Sequence, residues 1–282
     1  MSNIEPSILN KSSDLTQHHL TQEEINRWEL PEFEEFELKP RGTKYCFAVI
    51  TWNEGERIKK QLKRMKQNLH LADIIIADGD SEDGSTEHRF LKEQGVRTLL
   101  VTKERGLCTA IRMALAYGLM QGYEGIVTVN GNGKDGIEAL PDFLTALDEG
   151  CDIVQGSRFI KGGMHKNTPL LRYLGIKFVY SPILSLASGF YLTDPTNGFR
   201  AVSRRFLLDK RVLPFRKEFI RFNLEYYLDY RAARLGYKIK EIPVSRVYPG
   251  DGSIPTKIHG LSVLTNILEM VKVAVGSYNP EK

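Results

Sequence analysis

The chain has 282 residues, 41% hydrophobic and 26% charged, so it can bury the core of one large domain or two small ones. Residues 1–40 hold nine acidic and three basic side chains and contribute −6 to a net charge of +4, which leaves +10 for the rest. A basic body suits a phosphate-bearing ligand or an anionic membrane surface, and an ordinary soluble surface explains it equally well. We expect no nucleic-acid partner.

The composition argues against several other classes of protein. The three cysteines, which show no metal or disulfide spacing, are Cys46, Cys108 and Cys151. We expect them to be small, reduced core residues, which favours the cytosol. No charged-then-apolar signal opens the sequence. The longest apolar run, 170–192, is interrupted by two basic residues and a proline, so we do not expect it to span a membrane.

The N-terminal 40 residues are predicted to be an acidic arm. Residues 1–20 are polar and aperiodic and are expected to be disordered. Thr21-Gln-Glu-Glu24 has the pattern of a capping box and predicts a short helix. Phenylalanine alternates with glutamate over 31–37, which predicts a strap that packs two rings on the body, with an interaction segment as the alternative.

From residue 41 to 282 we predict a single α/β domain. Strands are predicted near 45–50, 73–77, 96–101, 125–129 and 151–155, and helices near 56–69, 85–94, 106–121 and 138–149. This alternation predicts a mostly parallel central sheet flanked by helices. Further on we predict a mobile loop (162–168), one or two apolar helices (170–192), a turn into a short strand (194–200), a helix (218–235), a strand (237–244) and an amphipathic helix (260–275).

Three predicted strands end in polar residues. The first runs into Thr51-Trp-Asn-Glu54, the second into Asp78-Gly-Asp80-Ser-Glu-Asp83-Gly, and the fourth into Asn130-Gly-Asn-Gly-Lys-Asp135. Ligands of open α/β sheets bind beyond the carboxyl ends of the strands. A single Asx-Gly pair is usually an ordinary turn, but three at adjacent strand ends indicate one pocket.

Two ligands for this pocket can be set aside. Gly131, Gly133 and Gly136 have the spacing of a dinucleotide fingerprint, but they follow the fourth strand rather than the first. The next strand also ends in Gln155 rather than in an acid for the ribose. The 78–82 segment resembles the start of a calcium loop, but Asp83 occupies the position that requires glycine.

A nucleotide-sugar site fits the pocket better. Asp78 can accept a hydrogen bond from a base or ribose, and the 81–85 segment can present backbone N–H groups at a helix start. Asn130, Asn132 and Asp135 then face the diphosphate.

Seven motifs together identify a family. They are Val49–Glu54, Asp78–Ser85, Gly106-Leu107 with Ala110, Gln155–Phe159, Gly162-Gly163, Asn197–Arg200 with Arg204, and Gly236-Tyr237 with Glu241–Val244. With them the chain resembles inverting glycosyltransferases of family 2, most closely the bacterial group similar to dolichyl-phosphate mannose synthases. The resemblance covers about residues 45–260, without the proline of the first motif and with Gly79 in place of the family's second acid.

The resemblance implies the GT-A nucleotide-diphospho-sugar transferase fold, with a nucleotide-binding half near 41–158 and an acceptor half near 159–282. The donor-binding positions that it implies are Thr51, Asn53, Glu54, Asp78, Asp80, Ser81, Asn130, Asn132 and Lys134. It also implies a hexosyltransferase of cell-surface polysaccharide synthesis, cytoplasmic and peripheral on the inner face of the cell membrane.

The family's metal motif is altered. Its D-x-D carboxylates, with a glutamine two residues later, hold Mg²⁺ or Mn²⁺, but the matching residues here are Asn130, Asn132 and Lys134. Asparagine offers one neutral oxygen, and hard cations prefer charged ones. Either Asp78 and Asp135 support a weakened metal site, with Asn130 and Asn132 as its other ligands, or Lys134 itself neutralises the diphosphate. We expect the weakened site, and activity that survives EDTA unchanged would contradict it.

The implied reaction is direct displacement at the anomeric carbon with inversion. A polyprenyl-phosphate acceptor is already an anion and needs cations to place it, for which the candidates are Arg158, Arg172, Arg200 and Arg246. A glycan hydroxyl would need a base, and Asp194 is the candidate, although it is equally a turn residue before Pro195. We therefore name Arg158 and Asp194 as the catalytic candidates, and expect Asp194→Asn to remove transfer while leaving donor binding intact.

The sequence leaves two alternative functions possible, and it does not decide the location of two apolar segments. A nucleotidylyltransferase would carry a glycine- and arginine-rich loop after the first strand, which is absent from this sequence. A non-catalytic nucleotide-sugar-binding regulator is favoured by the altered metal motif. The 170–192 run and the final helix are candidates for lying on a membrane, with burial in the core or in a homo-oligomer interface as the alternative.

Overall fold

The computed structural model describes residues 20–250 and 261–280, so the part of the arm predicted to be disordered, 1–20, lies almost wholly outside the described residues. The strands are β1 (Glu34–Glu37), β2 (Tyr45–Thr51), β3 (Asp73–Asp78), β4 (Val96–Val101), β5 (Gly125–Asn130), β6 (Ile153–Ser157), β7 (Met164–Lys166), β8 (Arg200–Ser203), β9 (Ile239–Pro243) and β10 (Ser245–Val247). The helices are α1 (Gln22–Asn26), α2 (Glu56–Met65), α3 (His88–Glu93), α4 (Leu107–Met120), α5 (Leu140–Asp148), α6 (Leu170–Gly175), α7 (Ser181–Ser188), α8 (Arg204–Leu207), α9 (Asn223–Arg234) and α10 (Leu261–Ala274).

Within residues 20–250 and 261–280, eight strands form the central sheet in the order β1-β4-β3-β2-β5-β8-β6-β9. The pairs β3/β4, β2/β3, β2/β5 and β6/β9 are parallel, whereas β1 and β8 run antiparallel to their neighbours. The prediction of an α/β fold with a mostly parallel sheet is confirmed.

In the part of the chain that the structure describes, one hydrophobic core covers each face of the sheet. Along β2, Cys46 and Ala48 belong to the core under α4, α7, α9 and α10, whereas Phe47 and Val49 belong to the core under α2, α3 and α5. This alternation follows from the two-residue period of a strand, and it requires β2 to be apolar on both faces. All three cysteines are free and buried, as predicted.

The described part of the N-terminal segment is built into the sheet. Thr21 caps α1 in the predicted capping box. Phe33 packs against one core and Phe36 against the other, which confirms the predicted strap. The strap also pairs with β4 as the antiparallel strand β1, which the sequence did not predict. The predicted domain boundary at residues 40 and 41 falls just after this strand.

Three sequence-based predictions need correction. The loop predicted at 162–168 contains β7, which pairs with β10 in a separate two-stranded parallel sheet. The helix predicted from residue 218 begins at Asn223. The helix predicted from residue 85 begins at His88, because the amide N–H and the hydroxyl of Ser85 both donate to the Asp83 carboxylate and fix a turn there.

Candidate active site

The three polar strand ends meet at one edge of the sheet. Thr51 pairs with Asp78 across β2 and β3, and Ile50 pairs with Asn130 across β2 and β5. Beyond the last paired residues, the Gly79 N–H donates to the Thr51 carbonyl (3.0 Å). The strands therefore end at the same level, and the predicted convergence of their polar residues is confirmed.

Asp78 organises the loop after β3. It accepts hydrogen bonds from the Ser81 amide (3.0 Å), the Ser81 hydroxyl (2.6 Å) and the Thr86 hydroxyl (3.2 Å). Burial raises the pKa of Asp78, against the opposing effect of the bonds from Ser81. The backbone N–H groups expected to face a ligand are directed differently, since those of Ser81 and Ser85 donate to side chains within the loop.

Asn53 connects this loop to β2. Its side-chain oxygen accepts from the Glu82 amide (2.9 Å), and its own amide donates to the Ser81 hydroxyl (2.8 Å). Asn53 and Asp80 both have left-handed backbones, with φ of 50° and 63°. Asparagine and aspartate tolerate this conformation better than most residues, and such strain concentrates at functional loops.

Lys134 is buried in the turn after β5, with only 4% of its surface exposed. Its amide donates to the Asn132 side chain (3.3 Å), its carbonyl accepts from the Val247 amide (2.9 Å), and the Gly133 amide donates to the Gln61 side chain (2.9 Å). Burial, and secondly the charge of Arg246, lower the pKa of Lys134 to about 6.

Lys134, Arg172 and Arg246 surround the ring of Tyr248, and we call these four residues the cation cluster. The Lys134 Nζ lies 4.8 Å from the ring centroid, and the guanidinium carbons of Arg172 and Arg246 lie 5.8 and 6.0 Å from it. Arg172 also donates to the Tyr248 hydroxyl (2.9 Å). Burial alone would raise the pKa of Tyr248, but the charges of Arg246 and Arg172 outweigh this effect and lower the pKa.

Tyr248 was not among the predicted site residues. Its one sequence signal is the spacing Arg246-Val-Tyr248, because residues two apart in an extended segment point to the same side. The predicted acceptor-binding residues Arg172 and Arg246 do come together, and the donor-binding candidate Lys134 lies with them.

The predicted metal ligands do not fit a carboxylate metal centre. Within residues 20–250 and 261–280, no group of three or more acids, histidines or cysteines is placed to hold an ion. Asp135 forms an ion pair with Arg246, which leaves one of its oxygens, Oδ2, buried without a hydrogen-bond partner in the described chain. One such oxygen is a poor site for Mg²⁺ or Mn²⁺, since hard dications take about six oxygen ligands.

Arg158 and Asp194, the two catalytic candidates, form a buried pair. The arginine donates to both carboxylate oxygens (2.6 and 2.7 Å), and its amide adds a third bond (3.2 Å). The side chains are only 2% and 0% exposed. A role of Asp194 as general base would require this pair to open, because Arg158 engages both of its oxygens.

Arg200 is likewise a buried arginine rather than one directed into the cation cluster. Its guanidinium donates to the carbonyls of Glu225 (2.7 Å), Asn197 (3.1 Å) and Pro195 (3.3 Å) and lies 3.4 Å from the Asp229 carboxylate. These contacts tie the turn before β8 to α9. They give Arg200 a structural task in place of the predicted contact with the acceptor.

The sheet order and the polar residues beyond its strand ends are those of the GT-A fold. Solved structures of glucosyl-3-phosphoglycerate synthase from Mycobacterium tuberculosis, one of them in complex with Mn²⁺ and UDP, share this fold. That structure has a TM-score of 0.58 and 13% identity, and the alignment covers 84% of this chain and 81% of the other.

Relatives in sequence place the chain more closely. The undecaprenyl-phosphate mannosyltransferase of Micrococcus luteus is 30% identical over 202 residues, which is 71% of this chain and 82% of the relative. The polyprenol monophosphomannose synthase of Mycolicibacterium smegmatis is 28% identical over 212 residues, 73% of this chain and 78% of the relative. No protein-family model matches the chain. The chain belongs to the family 2 glycosyltransferases that include these polyprenyl-phosphate mannosyltransferases.

Proposed function

We propose that the protein transfers a hexosyl group from a nucleoside-diphosphate sugar to a polyprenyl phosphate with inversion. The relatives from Micrococcus and Mycolicibacterium are named for polyprenyl-phosphate mannosylation. The observation that carries the choice of acceptor is the pairing of Asp194, the predicted base, with Arg158. A glycan hydroxyl needs a base to remove its proton, whereas a phosphate monoester is already ionised.

The reaction balances without a general base. A phosphate oxygen of the lipid attacks the anomeric carbon as the bond from that carbon to the diphosphate breaks. The products are the glycosyl lipid phosphodiester and the nucleoside diphosphate, and the configuration at the anomeric carbon is inverted. What the protein must supply is alignment of two anions that repel each other, and fixed cations provide it.

The placement of the side chains suits this task. The loops of Asn53 and Asp78 flank the strand ends where we place the nucleoside. The cation cluster lies beside the turn after β5, where we place the two phosphates. Arg172 is the member that we assign to the lipid phosphate, because it lies in α6 at the start of an exposed apolar helix.

Transfer is tested with the full chain, polyprenyl phosphate in anionic liposomes and a panel of GDP- and UDP-hexoses, beginning with GDP-mannose. We expect one donor to yield a glycosyl polyprenyl phosphate, detected by mass spectrometry, with release of the nucleoside diphosphate. Donor binding without transfer to any acceptor would contradict this function. It would favour the non-catalytic regulator, for which the asparagines at the metal positions are the supporting observation.

An exposed apolar surface lies beside the proposed acceptor site. The continuous helix Leu170–Ser188, which includes α6 and α7, is long and apolar enough to cross a membrane by length and composition alone. It packs along the body through Leu184 and Ser181, whereas Leu171 and Phe178 are 85% and 72% exposed. On α10, Leu264 and Leu268 are exposed as well.

We propose that this surface lies on an anionic membrane, which would make the protein peripheral and give it access to the lipid. Residues 159–193 contain four lysines and arginines and no acid. Apolar side chains beside basic ones are the combination that binds the interface of anionic bilayers.

We expect the variant Leu171→Glu/Phe178→Glu to lose flotation with phosphatidylglycerol liposomes by about tenfold or more, since burying each side chain contributes about 1.5–3 kcal/mol. The matched control, Gln67→Glu/Thr145→Glu, adds the same charge at exposed residues on the opposite side of the sheet and should float like the wild type. Undiminished flotation of the first variant would refute the membrane contact.

A further inference from the structure

Three aromatic rings from three separate parts of the chain are in mutual contact. Phe159 follows β6, His165 lies in β7 and Tyr173 lies in α6, and we call these residues the aromatic cluster. The centroid of the His165 ring lies 5.3 Å from each of the other two, which are 5.7 Å apart. His165 is exposed, and Phe159 and Tyr173 are half-buried. The cluster is therefore held together by its own contacts while part of its surface stays open to a ligand.

The aromatic cluster lies at the edge of the sheet that carries the candidate active site. The strand β6 runs parallel to β5, because both are antiparallel to β8, so it ends at the same edge as the polar strand ends. Phe159 follows this end by two residues, next to Arg158. On α6, Tyr173 directly follows Arg172, the residue to which we assign the lipid phosphate. The cluster thus adjoins the place proposed for the head group of the acceptor.

An apolar strip on α6 connects the aromatic cluster with the exposed face of the helix. Successive residues of an α-helix are about 100° apart around its axis. Within about 160° of the circumference, four apolar side chains therefore follow one another in the order Leu171, Leu174, Leu170 and Tyr173. The three leucines are exposed, and Tyr173 at the end of the strip contacts the other two rings. The strip leads from the surface proposed to lie on a membrane to the cluster.

The charges beside the aromatic cluster suit an anionic lipid. The Lys177 Nζ lies 4.2 Å from the centroid of the Phe159 ring. Residues 159–193 contain no acid, and none of the described acids forms an ion pair with Lys177. Apolar rings beside a cation match a molecule that carries a phosphate at the end of an apolar chain.

We propose that the aromatic cluster binds the isoprene units nearest the phosphate of the acceptor lipid. These units are apolar and branched, and packing them on half-exposed rings removes apolar surface from water on both sides. Binding of this unreactive part of the lipid would also fix where its phosphate can lie, which is the alignment that the transfer needs. The inference rests on the proposed function for the identity of the acceptor.

The first test compares soluble prenyl phosphates of increasing length. Dimethylallyl, geranyl and farnesyl phosphate are titrated calorimetrically into the full chain, each below the concentration at which it forms micelles and without lipid or detergent. Affinity should rise about tenfold or more from dimethylallyl to geranyl phosphate, because one more isoprene unit leaves water. Without a bilayer, this contact is measured apart from membrane binding. Equal affinity for the three compounds, or no binding of farnesyl phosphate, would overturn the inference.

The second test removes the rings one at a time. Phe159→Ser and Tyr173→Ser should each weaken binding of farnesyl phosphate about tenfold or more and affect dimethylallyl phosphate less. The matched control is Phe90→Ser on α3, which removes a half-buried phenylalanine beneath Lys59 on the other face of the sheet and should bind like the wild type.

Because the His165 ring is exposed, its removal provides a test that does not depend on stability. His165→Ser should unfold at the wild-type temperature and bind farnesyl phosphate about 2- to 10-fold less tightly. Wild-type affinity in this variant, together with wild-type affinity in whichever of the two serine variants of Phe159 and Tyr173 folds, would leave the cluster a structural role only.

Transfer assays separate this inference from the proposed function. With the active donor, Tyr173→Ser should raise the KM for farnesyl phosphate about tenfold or more and leave the KM for the donor unchanged. A rise confined to the KM for the donor would mean that the rings stack on the sugar, and the inference would be wrong. If farnesyl phosphate binds with the expected dependence on chain length but no donor transfers a sugar to it, the proposed function fails and the lipid site stands.

Discussion

Replacing Asp194 by alanine is expected to lower the free energy of unfolding by about 3–5 kcal/mol, the cost of removing one partner from a buried ion pair. Arg158 would keep its buried position and lose three hydrogen bonds to the carboxylate, two from its guanidinium and one from its backbone amide. The guanidinium cannot lose its proton, and it cannot reach water unless the structure opens around it.

Urea denaturation measures this loss directly. The matched control is Glu93→Ala, which removes an exposed carboxylate paired with Arg89 and should cost less than about 1 kcal/mol. The double variant Arg158→Met/Asp194→Ala should lose less free energy of unfolding than the two single variants lose in sum, because no uncompensated charge remains in it. If Asp194→Ala were no more costly than the control, the pair would not have the structural role described above.

A second substitution of Asp194 distinguishes a structural role of this residue from a catalytic one. Asp194→Asn keeps the size of the side chain and removes its charge, so we expect it too to be destabilised, with transfer falling in proportion to the folded fraction. A variant that is fully stable, binds donor and transfers nothing would instead support Asp194 as the base for a hydroxyl acceptor.

Replacing Arg200 by methionine is also expected to cost about 3–5 kcal/mol in the free energy of unfolding. The carboxylates of Glu225 and Asp229 would stay buried without the guanidinium, which lies 3.7 and 3.4 Å from them. Urea denaturation again gives the measurement, with the exposed Arg211→Met as control. A loss no larger than that of the control would return Arg200 to the set of acceptor-binding candidates.

The loss in Arg200→Met should depend on pH. Burial raises the pKa of Asp229 to about 7, with Arg200 acting to lower it. The unfolded carboxyl titrates near 4. The stabilising contribution of Asp229 is therefore complete below about pH 4 and is lost as the pH rises through about 7. Because Arg200 opposes this loss, its removal should cost more at pH 8 than at pH 6.

The central strands and their meeting point could be predicted because they leave local signals. The strands β2, β3 and β5 are apolar on both faces and each ends in polar, glycine-containing turns, so that composition alone marks both strand and site. The structural roles of Arg158 and Arg200 could not be predicted in the same way. An arginine that binds a ligand and one that holds a buried carboxylate look alike in sequence, and only packing separates them.

Short elements whose pairing is decided at long range were also missed. The strand β7 has three exposed residues and pairs with β10, about 80 positions later in the chain. Tyr248 becomes central because this pairing brings Arg246, and α6 brings Arg172, to its ring beside Lys134. Neither contact leaves a periodic pattern within one segment.

The edge strand β1 also bears on how copies of the protein can associate. Three of its four residues are glutamates, and it covers β4 along one side of the sheet. Two copies meeting edge to edge there would bring six carboxylates together, and acidic side chains on an edge strand discourage continuation of a sheet into a neighbouring molecule. Self-assembly through this edge is therefore disfavoured, and any quaternary contact is better sought on another surface.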